Sequence, residues 1–149
     1  MIEATGNLWD FYDIGETVCI TTNGHVGRAG TAVMGRGTAK QAASKFPTLP
    51  LALGSLLRAT GNHVYLLCPG IFSFPVKHHW AMDADLYLIR RSCLELKTLA
   101  GLYQLSRVYL PRPGCGNGNL QWKDVKPVLE MHLYGDDDRF IVVWNGNGQ

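Results

Sequence analysis

Two kinds of apolar pattern alternate along the chain. Short unbroken runs of branched and aromatic residues are separated by stretches in which apolar side chains recur every three or four positions. Residues 17–22, β-branched and bounded by Gly15 and by Asn23 and Gly24, predict a strand. The runs at 63–68 and 107–110 and at 139–144 read as buried strands, and 71–75 as a further short one. Helical spacing places Ala39, Ala42, Ala43 and Phe46 on one face of a helix over 38–46, with Thr38 as its N-cap. Pro47 and Pro50 bracket its end. A second helix carries Leu53, Leu56 and Leu57 and closes at Gly61, which suits a C-terminal cap. The longest helix spans about 83–102, capped by Asp83. Its face of Leu86, Ile89, Cys93, Leu96 and Ala100 lies opposite Arg90, Arg91 and Lys97. A last helix covers about 123–133. Unbroken apolar strands separated by helices define a three-layer α/β/α sandwich around a mostly parallel sheet. At 149 residues this is one domain, 1–149.

Composition adds one outlier. Glycine is 17 of 149 residues, about 11%, against a usual ~7%. Eight of these cluster, five within 24–37 and three within 114–118. Both clusters follow predicted strands, and ligands of open α/β sheets bind in the crevice at the carboxyl ends of strands. The net charge of +2 excludes a protein that coats nucleic acid or a membrane surface through its overall field. Asp136, Asp137 and Asp138 read as a solvated turn, and residues 145–149 as a frayed tail. Cys19, Cys68, Cys93 and Cys115 form no CxxC pair and are expected as reduced thiols. No apolar stretch approaches 18 residues and no signal-peptide pattern opens the chain, so the expected compartment is the cytoplasm, with no membrane contact.

Glycine lets backbone N–H groups turn toward a ligand, and helix N-termini favour anions. Met34, Gly35, Arg36, Gly37 and Thr38 and the segment 113–119 can therefore grip a diphosphate from two sides; the alternative is a pair of ordinary turns. Gly30 and Gly35 have the spacing of a P-loop start, but Arg36 and Gly37 replace its lysine and hydroxyl residue. Neither glycine cluster completes a dinucleotide fingerprint, which disfavours a kinase or a nicotinamide dehydrogenase. Asn23, Asn117 and Asn119 offer amides to a sugar, or simply build turns. Lys77, His78, His79 and Trp80 crowd one crevice edge, where a lysine in an apolar wall has a lowered pKa and serves as nucleophile or electrostatic catalyst. The adjacent histidines poorly suit zinc, and no metal is expected. Cys115 reads as a small residue packed under its loop rather than a nucleophile.

Four segments, in this order, resemble the macro domain, an ADP-ribose-binding family. They are the opening residues 5–9, residues 20–24 with 32–39, residues 74–77, and residues 110–122. The last is similar to the branch containing the terminal ADP-ribose protein glycohydrolase and the macro domains of DarG-type antitoxins. The resemblance implies that Asn7 stands where many members hold adenine with an aspartate, walled by Leu8 and Trp9. It implies that Asn23 contacts the distal ribose, that residues 34–38 form the first phosphate loop, and that Pro113, Gly114, Cys115, Gly116, Asn117, Gly118 and Asn119 form the second. Lys77 matches the catalytic lysine of this branch. Gly118 stands where the protein-directed member has an assisting aspartate. The implied activity is an ADP-ribosyl glycohydrolase acting on modified protein carboxylates or DNA bases, with no cofactor. A toxin partner follows from the antitoxin side of the branch. The alternatives are a non-catalytic reader and an ADP-ribose 1″-phosphate phosphatase using His78 or His79 with Asp83 or Asp85.

Overall fold

The computed structural model describes residues 1–133, 135 and 138–146. Asp136 and Asp137 of the expected acidic turn, and Asn147, Gly148 and Gln149 of the tail, lie outside the described residues. The elements run β1 (Ile2–Thr5), α1 (Leu8–Asp13), β2 (Thr17–Asn23), α2 (Gly37–Lys45), α3 (Leu49–Thr60), β3 (Leu66–Cys68), β4 (Ile71–Lys77), α4 (Leu86–Leu102), β5 (Val108–Pro111), α5 (Trp122–His132) and β6 (Phe140–Trp144). The sheet order is β1-β6-β5-β2-β4-β3. Every neighbouring pair is parallel except β3 against β4.

Strand alternation sends successive residues to opposite faces, and the buried residues separate accordingly. Val18, Ile20, Tyr109, Ile141 and Val143 pack with α1, α2 and α3. Cys19, Phe72, Phe74, Val108, Leu110, Phe140 and Val142 pack with α4 and α5. Strands buried on both faces explain the unbroken apolar runs, and the result is the three-layer α/β/α sandwich. Among the described residues, no helix is long and apolar enough to cross a membrane.

Several boundaries differ from the sequence reading. The run 63–68 is not a buried strand: only Leu66–Cys68 joins the ladder, at the sheet edge, antiparallel to β4. Ahead of it, Glu95 on α4 takes the place of a strand partner. Its carboxylate lies 2.6 Å from His63 Nδ1 and accepts from the Val64 N–H at 3.0 Å. Asp83 does not cap the long helix. Asp85 does, accepting from the Tyr87 N–H at 2.9 Å, while Asp83 accepts from Asn119 Nδ2 at 2.8 Å. Thr38 is not an N-cap either, since Arg36 occupies that position. Its buried hydroxyl instead accepts from the Thr21 N–H at 3.1 Å, fastening α2 to the end of β2. β4 runs two residues past the expected strand, to Lys77.

Gly54 sets the approach of α3 to the first glycine loop. A Cβ there falls 2.0 Å from the Gly30 carbonyl oxygen and 3.0 Å from the Ala32 nitrogen. Backbone cannot yield as a side chain can, so Gly54→Ala is expected to cost about 1–3 kcal/mol. Thermal unfolding checks this, with a Tm fall of roughly 2–12 °C expected for a chain of this size.

Candidate functional site

After β2 the chain moves toward β4 and β3; after β5 it moves toward β6. β2 and β5 are neighbours, so the connections diverge between them and open a crevice at their carboxyl ends. Both glycine clusters meet in this cleft. Gly35, Arg36, Gly37 and Thr38 line one side and Gly114, Gly116, Asn117 and Gly118 the other. The two sides nearly touch: a Cβ on Gly37 lies 3.5 Å from Asn117 Nδ2.

Each side presents unpaired backbone donors. Gly37, Thr38 and Ala39 form the first turn of α2, so their N–H groups have no intrahelical acceptor, and all three residues line the cleft. The positive end of the helix adds to their pull on an anion. In the second loop, the N–H groups of Cys115, Asn119 and Leu120 close turns onto Arg112, Gly116 and Gly114. Those of Gly116, Asn117 and Gly118 lie outside these turns. Gly114 makes the bend with φ +75°, where a side chain is strained.

Asn23 and Lys77 are register partners at the ends of β2 and β4, beside a shift in the ladder. The Asn23 amide staples the first loop, with Nδ2 donating to the Val33 carbonyl and Oδ1 accepting from the His25 N–H, each at 2.9 Å. One N–H and one lone pair of that amide are left over. Lys77 Nζ donates to the Trp80 carbonyl at 3.3 Å. Burial pushes its pKa below the usual lysine range; Arg36 pushes the same way and Asp83 opposes. The arrangement is a cationic amine beside a carboxamide, between two loops of backbone donors.

Other candidate residues fall elsewhere. Asn7 caps α1, its Oδ1 accepting from the Trp9 N–H at 2.9 Å. Leu8 and Trp9 are buried against the sheet, and Trp9 Nε1 donates to Gln41 at 2.7 Å. None of the three lines the cleft, nor do Met34, Pro113, Cys115 and Asn119. Met34 is buried in the core. Burial pushes the Cys115 thiol up to about 11, so it is held protonated. His78 does pair with Asp85, at 2.7 Å, but neither lines the cleft. All four cysteines are free. The sequence reading did not name Thr21, Thr22, Val33, Ala39 and Val76 as site residues, and all five line the cleft. Their signal is position, within the segments 20–24, 32–39 and 74–77 that carry the resemblance.

A mostly parallel sheet of this order, sandwiched between helices and carrying two glycine loops at the divergence of β2 and β5, is a fold the chain shares with solved macrodomains. The chain superposes on the macrodomain of Mycobacterium tuberculosis DarG with a TM-score of 0.80 and 24% identity, over 98% of this chain and 97% of that one. The macrodomain of Thermus aquaticus DarG follows at 0.76 and 25% identity, over 97% of each chain. Thermosipho africanus DarTG in complex with ADP-ribose gives 0.76 at 18% identity, over 95% of this chain and 41% of that one. In sequence, the chain is 28% identical over 126 residues to a DNA ADP-ribosyl glycohydrolase of M. tuberculosis, covering 78% of this chain. It spans 36% of the length of that relative. No protein-family model matches the chain.

Proposed function

We propose that this macrodomain is an ADP-ribosyl glycohydrolase that removes terminal ADP-ribose from a DNA base. The observation that carries the reading is Lys77, a partly buried amine with a lowered pKa at the end of β4, facing the cleft between both donor loops. The loops hold the diphosphate through backbone N–H groups, and Asn23 orients the distal ribose. The neutral Nζ donates its electron pair to C1 of that ribose. The bond from C1 to the base breaks toward the base, which takes up a proton. Water then adds to C1 and releases the lysine. The DNA target rests on similarity to the relative named for it, and the DarG-like fold supports a toxin partner.

The test is release of free ADP-ribose from ADP-ribosylated single-stranded DNA, run beside an ADP-ribosylated glutamate peptide. Release from DNA supports the reading, and release from the peptide alone reassigns the substrate. Tight binding of ADP-ribose with no release from either makes the chain a reader.

The pKa shift has a kinetic signature. A nucleophilic amine reacts when neutral, so the rate rises with pH through the Lys77 pKa and levels off below the range of an ordinary lysine. Arg36→Ala removes a repelling cation, raises that pKa and moves the rise to higher pH. Asp83→Asn removes an attracting anion and moves it to lower pH. A pH–rate profile that neither substitution displaces assigns the titration to another group.

A further inference from the structure

We infer that His25, His79 and Trp80 form a stacking rim at the mouth of the cleft that selects single-stranded nucleic acid as the carrier of ADP-ribose. This rests on the glycohydrolase reading and names residues that choose its substrate.

Three rings from two separate segments line up here. The His79 ring lies 5.3 Å from that of Trp80, at 31° between planes, and 4.4 Å from that of His25, at 59°. His25 belongs to the segment between β2 and α2; His79 and Trp80 follow β4. Neither imidazole is committed to a carboxylate: His79 Nδ1 accepts from the Ala81 N–H at 3.0 Å, which leaves its proton on Nε2. Trp80 lines the cleft yet is 54% exposed. An indole offers a large apolar face, and leaving over half of it in water beside a ligand cleft fits a surface that a further planar group covers. The Lys77 amine donates to the Trp80 carbonyl, so the rim is fastened to the proposed nucleophile.

The surrounding charge fits a phosphodiester strand. Arg36 is exposed at the cleft edge. The nearby acids are engaged, Asp83 by Asn119 and Asp85 by His78. Base stacking tolerates any base but needs unstacked ones, so the strand that fits is single rather than duplex. A glutamate side chain carrying ADP-ribose brings no plane to cover these rings. The base bearing the ADP-ribose, or its neighbour, does.

The experiment compares three ligands on the Lys77→Ala protein: an ADP-ribosylated single-stranded oligodeoxynucleotide, an ADP-ribosylated glutamate peptide and free ADP-ribose. The oligonucleotide is expected to bind about tenfold or more tighter than free ADP-ribose, and the peptide no tighter. Trp80→Leu removes most of the excess, Trp80→Phe retains it, and His25→Ala with His79→Ala reduces it. Thermal unfolding serves as the folding control. Equal affinity for oligonucleotide and free ADP-ribose overturns the rim, as does an excess that survives Trp80→Leu and the histidine pair. Failure of free ADP-ribose to bind at all overturns instead the reading on which the rim rests.

Discussion

Lys77→Ala is expected to lower release of ADP-ribose by about 10²–10⁴-fold while leaving its binding within about threefold. The two effects separate because different parts of the cleft are responsible for them. In the proposed binding mode the diphosphate meets backbone N–H groups at the start of α2 and in the second loop, and truncating a side chain on β4 does not move these. The amine, the register partner of Asn23, is the group proposed to meet the ribose. Its substitution removes a group used in the transition state, the case in which kcat falls and affinity persists. Lys77→Arg divides the two roles a lysine can take. Arginine keeps the charge but has no neutral form to attack with, so it is as inactive as alanine if the amine is a nucleophile. Partial activity in Lys77→Arg assigns Lys77 to charge stabilisation. Single-turnover release and calorimetric titration of ADP-ribose make the measurement, and unchanged release by Lys77→Ala removes the lysine from the mechanism.

The layering that brings these residues together was legible in the chain, because strands buried on both faces must be apolar at every position. Residues 18–20 and 108–110 show this, and they belong to the strands that carry the two glycine loops. β1 and α1 escaped the pattern. Ile2–Thr5 is a mostly exposed edge strand whose four residues are too few for their alternation to stand out, and Leu8–Asp13 is too short for a helical period to show. Residues 63–68 misled for a different reason, since side chains distant in sequence, Glu95 and Ser73, take backbone bonds of residues 63–65 that a ladder would have used. The cap at the start of α4 lay between two aspartates, and local sequence does not say that Asn119 claims Asp83. Asn23 shows the same limit within the site. A position at a strand end marks the residue, but its two bonds to the first loop depend on where Val33 and His25 return.

Gly118→Asp, the substitution that places an acid at this loop position, is expected to weaken ADP-ribose binding by more than about tenfold and to destabilise the fold by about 1–3 kcal/mol. Gly118 has no room for any side chain. A Cβ built there lies 2.5 Å from the Gly114 carbonyl oxygen, 2.7 Å from Ala84 Cβ and 2.8 Å from Gly114 Cα. Two of these atoms are backbone of the loop itself, so the loop must open. Opening it strains the bond from the Ala84 N–H to the Gly118 carbonyl at 2.9 Å and displaces the adjoining Asn119 from Asp83. It also turns aside the N–H groups proposed to hold the diphosphate. Gly118→Ala carries the same Cβ without the acid and is expected to fail nearly as badly, which separates crowding from charge. Thermal unfolding and ADP-ribose titration of both variants make the comparison; a Gly118→Asp protein with unchanged Tm and faster release refutes it. The packing therefore gives this cleft a chemistry without an acid at that loop position. The carboxylate that Lys77 does feel is Asp83, which follows β4 rather than β5 and raises the lysine pKa against burial and Arg36.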